Sequence, residues 1–283
     1  MMLATAGFVV NDTLVKLTTT HLPLGQIILI RGLFCIVLIG AICLYRGVFA
    51  NWRDLANRFV LLRGISEVAS TVLYLMALKN LPIANATAIL QALPLAVTAG
   101  AAIFFGSQVG WRRWTAVLVG FCGVLIIVRP GLEGFDIWSL VVLGAVITMT
   151  ARDLSTRFVP KHIPTFGISF MTSIWVSLLG GVFAAIEGWE PVTPQSLGLL
   201  MLAASFLTVG YVFITASVRS GDLSVVAPFR YSAILWAVTL GFLIWDEIPD
   251  LYTAIGTTIV VVTGIYTVWR EQKLVKRERY KKI

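Results

Sequence analysis

Three charged residues sit where a membrane helix tolerates them least: Asp12 and Lys16 in the first apolar run and Arg31 in the second. A charge in the hydrocarbon core is expensive, so each marks either a solute pathway or an internal pair. Asp12 and Lys16 are four residues apart, share one helical face and can pair. Arg31 lies about seven residues in from Leu24, roughly 10 Å deep at 1.5 Å per residue, and Asp12 lies at a matching depth counted from Thr19. Such a layer suits a zwitterion, with Arg31 or Lys16 meeting a carboxylate and Asp12 meeting an ammonium group or relaying a proton. It equally suits a fixed ion pair between the first two spans, because buried charges need partners in either case.

A second set lies nearer the opposite surface. Asp153 and Arg157 repeat the four-residue spacing, and Arg157 is long enough to snorkel to the interface, which favours a structural role. Arg230, between Pro228 and Tyr231, reads as lining a cavity. Pro94 and Pro228 interrupt apolar runs and permit bends. Tyr74, Asn85, Gln91, Trp175, Tyr211, Tyr231 and Trp236 are the other polar or amphipathic candidates at span depth. Singly they suit interhelical hydrogen bonds or packing; together they could furnish an amphipathic pocket. Glu67, four residues after Arg63, is expected to form a local ion pair.

Enzyme signatures are missing: there is no HExxH, GxSxG or P-loop and no carboxylate cluster with metal-ligand spacing. Cys35, Cys43 and Cys122 lack metal or redox spacing and read as small packing residues. No catalysis, metal or cofactor is expected.

Helices must position these residues. Of 283 residues 58% are hydrophobic and 13% charged, against about 25% charged in a soluble domain. Apolar runs fall near residues 2–19, 24–45, 60–79, 82–105, 111–128, 136–158, 165–187, 196–218, 224–245 and 251–269. This predicts an all-α integral membrane protein with ten transmembrane helices. The first run follows no basic segment and lacks a cleavage site, so it reads as a retained helix, and the native chain is expected to carry a few further residues before it. One set of loops holds Arg46, Arg53, Arg58, Arg63, Arg112, Arg113, Arg152, Arg157, Lys161 and Arg219, joined by the basic tail; the other holds Lys79 and Arg129 with seven acidic residues. That bias places both termini in the cytoplasm. The net charge of +8 reflects this asymmetry, and no nucleic-acid partner is expected. Trp52, Trp111, Trp138, Trp189 and Trp245 stand at span ends as interfacial anchors.

An internal repeat organises the spans. At an offset of 141, Asp12, Lys16, His21 and Pro23 match Asp153, Arg157, His162 and Pro164; at 140, Lys79 matches Arg219, Leu90 matches Arg230 and Gln91 matches Tyr231. A unit with an odd number of spans inverts in its second copy. The expected layout is therefore one five-helix repeat over 1–134, a second inverted one over 135–270 and a basic cytoplasmic tail over 271–283. Exchange of tilt between inverted halves yields alternating access around a midplane site. Small residues in the fifth and tenth spans suit peripheral support or a dimer surface, and both monomer and homodimer fit.

The tracts NDTLVKLTTTHLPLGQIILIRG (Asn11 to Gly32) and SVVAPFRYSAILWAVTLGFLIWDEIPDLYTAIGTTIVVVTG (Ser224 to Gly264) resemble the EamA-type exporters of the drug/metabolite transporter superfamily, across essentially the whole chain. The family's Gly-Glu at the fourth helix of each half is matched by Asp246-Glu247 but replaced by Gly106-Ser107. The resemblance implies metabolite export through a cavity lined by spans 1 to 4 and 6 to 9, and its nearest look is to bacterial aromatic amino-acid exporters. The expected function is inner-membrane export of amino acids, aromatic or apolar ones included, with a small zwitterionic solute and the lipid bilayer as partners. The alternatives are transport of another metabolite (a vitamin, nucleoside-like compound or amine), a passive channel, and an assembly subunit without flux.

Overall fold

The computed structural model describes residues 2–48, 55, 57–105, 111–129, 136–156, 158–160, 162–220 and 227–281. Trp52, Arg53, Gly106, Ser107, Glu133, Arg157 and Lys161, and the side chains of Arg112, Arg113, Arg219 and most of the tail, lie outside the described residues. Their expected roles stay where the sequence left them.

The described chain is all-helical. The helices are α1 (Met2–Thr18), α2 (Leu24–Tyr45), α3 (Arg58–Asn80), α4 (Ile83–Leu90), α5 (Leu93–Phe105) and α6 (Trp111–Val128). There follow α7 (Ile137–Thr156), α8 (Thr165–Glu187), α9 (Pro194–Ser220), a 3-10 segment (Ala227–Ser232), α10 (Ala233–Trp245) and α11 (Leu251–Lys281). Among the described residues, seven helices are long and apolar enough to cross a membrane, the α4–α5 stretch counting as one, and the stretches 114–128 and 229–245 are shorter apolar helices. α1, with 17 residues and both Asp12 and Lys16 in it, is shorter than these seven. The chain is thus a multi-pass membrane protein.

Local chemistry sets the helix ends. Pro23, Pro82 and Pro164 immediately precede α2, α4 and α8, where a missing N–H costs nothing because the first helical donors lack partners anyway. Pro94 acts as expected: the fourth apolar run breaks at Gln91 and Ala92, where the chain tightens and the Ala92 N–H donates to the Ile89 carbonyl at 3.0 Å. The acidic residues of one loop set cap helices. Asp136 accepts from the Trp138 N–H, Glu187 from the Gly25 N–H at 2.7 Å, and Asp250 from the Thr253 N–H. Asp250 also pairs with Arg129. Burial pushes the Asp250 carboxyl up, but hydrogen bonds from Thr253 and Arg129 outweigh it and hold the group below its ordinary value.

Small residues let the bundle close. α2 and α8 cross antiparallel, with Gly25 against Ala184, Gly32 against Ser177, and Gly180 against the Leu29 backbone. α6 and α11 meet glycine to glycine, where a Cβ on Gly123 would lie 2.9 Å from the Gly256 carbonyl. Gly123 and Gly256 therefore serve contact between these two helices, whereas Gly264 meets Tyr231. Helix pairing is reciprocal between the halves: α1 packs on α9 as α7 packs on α3, and α1 meets the 3-10 segment and α10 as α7 meets α4 and α5. A buried cluster including Ile27, Leu75, Leu78, Ile83, Ile89 and Leu200 fills the centre. Gly123→Val is expected to lower the melting midpoint by several degrees, since overpacking costs about 1–3 kcal/mol. Gly198→Ala, with open space around it, should melt as wild type; equal midpoints for all three proteins would refute the close-packing account.

Candidate functional site

Two polar assemblies occupy the bundle. In the first, the buried Tyr74 hydroxyl on α3 donates to one Asp12 oxygen at 3.0 Å. The Asn11 amide donates to the other at 2.9 Å, and its carbonyl oxygen accepts from Arg31 Nη1 at 3.4 Å. Asp12 and Arg31 thus share a layer, as their depths predicted, with Asn11 as the bridge. Arg31 and Asn11 are both buried.

Lys16 departs from expectation. It does not pair with Asp12; its ammonium group donates to the Leu81 carbonyl at 2.8 Å and to Glu247 at 3.0 Å, and lies 4.7 Å from the Trp245 ring centre. The reason is reach: Asp12 points to α3, whereas the longer Lys16 side chain extends to the end of the bundle, where the α3 C-terminus leaves a carbonyl free. The other Glu247 oxygen accepts from the Ile83 N–H, the first donor of α4, at 3.2 Å. One lysine and one glutamate therefore join α1, the α3–α4 junction and the α10–α11 turn.

The second assembly lies toward the other end. Arg152 Nη1 donates to both Glu67 oxygens at 3.2 and 3.1 Å, and its Nε donates to Asp153 at 2.9 Å. The expected Glu67–Arg63 pair gives way to Arg152, which also bonds Asp153 and so sits between both acids. Arg63 instead donates to the hydroxyls of Thr156 and Thr172. Tyr211 stands edge-on to Phe8 with ring centres 5.5 Å apart, within the fields of Glu67, Arg152 and Arg63. Arg230 lies within the fields of Asp153 and Arg152.

The remaining candidates are spread out. Gln91 donates to the Tyr231 carbonyl at 3.3 Å, bringing together two positions matched in the repeat. The Tyr231 hydroxyl abuts Gly264, and neither it nor Trp236 Nε1 finds a hydrogen-bond partner. Asn85 is half-buried, and Trp175 lies at the bundle surface against Gly64. Glu67, Arg152, Asn11 and Glu247 are the members that sequence reasoning did not place in the site. Arg152 sits inside an apolar run, which was the available signal.

An all-helical membrane bundle with paired charge buried between helices from both halves has the construction of a solute pathway. The chain belongs to the EamA-like transporter family, whose model matches residues 1–129 and again 136–270. It is 27% identical to the pseudopaline exporter CntI of Pseudomonas aeruginosa, covering 93% of this chain and 92% of that protein. It is 25% identical to an S-adenosylmethionine uptake transporter of Rickettsia conorii (95% and 90% covered) and 26% identical to a riboflavin transporter of Vibrio cholerae (91% and 87% covered). A solved crystal structure shares the fold with a TM-score of 0.62 at 18% identity, over 96% of this chain and 97% of the other.

Proposed function

We propose that the chain moves a small zwitterionic metabolite across the bacterial inner membrane by alternating access, and that amino acids, aromatic or apolar ones included, are the first candidates for export. The observation that carries this reading is the Asp12–Asn11–Arg31 layer, with Asn11 and Arg31 buried and Asp12 half-buried, where opposite charges stand one amide apart. A solute ammonium group fits Asp12 and Tyr74, and its carboxylate fits Arg31. The relatives' named cargoes, pseudopaline, S-adenosylmethionine and riboflavin, favour the wider class of metabolites alongside amino acids.

In this reading ten spans form two inverted repeats, 1–134 and 135–270, followed by a basic tail, with both termini cytoplasmic. The twofold family match, the reciprocal helix pairing and the meeting of Gln91 with Tyr231 support it. Liposomes holding purified protein and a loaded amino-acid panel, with and without a pH gradient, test the function. Saturable release with counterflow is the expected result. Flux linear in concentration would mean a channel, and no flux for any amino acid or relative-type metabolite would sink the transport reading.

A further inference from the structure

Within electrostatic reach of Arg152 lie two further guanidinium groups, Arg63 and Arg230, and two carboxylates among the described residues. Arg152 satisfies both acids, Glu67 and Asp153. Arg63 directs its donors to two threonine hydroxyls, at 3.1 and 3.0 Å. Arg230 is half-buried and, among the described residues, makes no hydrogen bond or ion pair. A guanidinium has five N–H donors, no acceptor and a permanent charge, so holding one at span depth without an acceptor is costly. One positive charge is left over in this group. On the same stretch of chain the Tyr231 hydroxyl and the Trp236 Nε1–H are buried without partners. For Arg230 the unmet requirement is an acceptor-rich anion.

We infer that Arg230 anchors an acidic group of the transported solute, a carboxylate in the first instance, at a subsite separate from the Asp12–Arg31 layer. The inference rests on the transport reading above and narrows its substrate to solutes that carry an acid besides the zwitterionic head. Arg152 cannot take this role without releasing Glu67 and Asp153, whereas Arg230 holds no acceptor among the described residues. The neighbouring Asp153 charge steadies Arg230 without occupying its donors, because the Asp153 contact is to Arg152 Nε.

Acid–amide pairs of equal shape isolate the charge. Isothermal titration of the purified full chain uses L-glutamate against L-glutamine, and glutarate against glutaramide, which lacks the zwitterionic head. In wild type the acid of each pair is expected to bind about tenfold tighter than its amide, as a charge-assisted guanidinium–carboxylate bond gives over a neutral one. Arg230→Gln should erase that ratio, and Arg230→Lys, which keeps the charge but not the fork, should retain part of it. Each variant is used only if it elutes and melts as a folded protein. Equal binding of acid and amide in wild type, no binding by any of the four, or an undiminished ratio in Arg230→Gln overturns the inference. Titration does not depend on flux, so a silent liposome assay with an intact acid preference would reject the transport reading and leave the anion subsite standing.

Discussion

Asp12→Asn is expected to reduce saturable counterflow at least about tenfold while folded protein is still recovered. Both Asp12 oxygens are engaged, by Tyr74 and by Asn11, and Arg31 is reached through the Asn11 amide. Asparagine preserves the shape but removes the charge, and a hydrogen bond to a charged group contributes about 1.5–3 kcal/mol, on the order of ten- to a hundredfold in rate. Tyr74→Phe removes one donor and leaves the carboxylate, so its loss should be smaller. The pair of variants Asp12→Asn and Asp12→Asn/Arg31→Gln separates contact with the solute from mere charge balance. If Asp12 serves only to neutralise Arg31, the double variant regains transport, because no lone buried charge remains. If the solute's ammonium group meets Asp12, the double variant stays as inactive as the single. Wild-type counterflow in Asp12→Asn would remove the layer from the pathway.

The parts of this molecule that one helix dictates were legible in its sequence. Depth along a span follows from a fixed rise per residue, which is why Asp12 and Arg31 fall in one layer. Pro94 marks its own break because the missing donor acts on its own helix. Side-chain partnership is another matter, since it depends on which helices touch. Lys16 and Glu247 are 231 residues apart, and Glu67 and Arg152 are 85 apart. In both cases a nearer partner at helical spacing, Asp12 for Lys16 and Arg63 for Glu67, was the obvious candidate, and packing chose the distant one. The acidic residues of one loop set read only as part of the charge bias between loops; Asp136, Glu187, Glu247 and Asp250 also accept from backbone donors at helix starts. The repeat also hides a change of chemistry. Thr172 stands at the position matching Arg31 and accepts from Arg63, so the second half receives its guanidinium from a different helix.

Glu247→Gln is expected to open the Lys16 end of the bundle. Lys16 and Glu247 come from opposite halves, and their side chains are 10% and 23% exposed. The glutamate also holds the first donor of α4, so separating the halves at this end must break the ion pair and the Ile83 contact together. Losing the charge weakens closure by about 1.5–3 kcal/mol, and an equilibrium between closed and open forms shifts on the order of tenfold or more. The Arg152–Glu67 bridge crosses the halves nearer the other end, and under the alternating access proposed above, release of one contact favours closure at the other. Asn85→Cys, half-buried and two residues, about half a helical turn, beyond Ile83, reports access when the three native cysteines are replaced. Its modification by a membrane-impermeant thiol reagent added from the Lys16 side should quicken at least about tenfold in Glu247→Gln. The same reporter should slow in Arg152→Gln, where the opposite end is released and the Lys16 end stays shut. If both variants label at the parent rate, the Lys16–Glu247 pair holds α4 and α1 in place without gating the pathway.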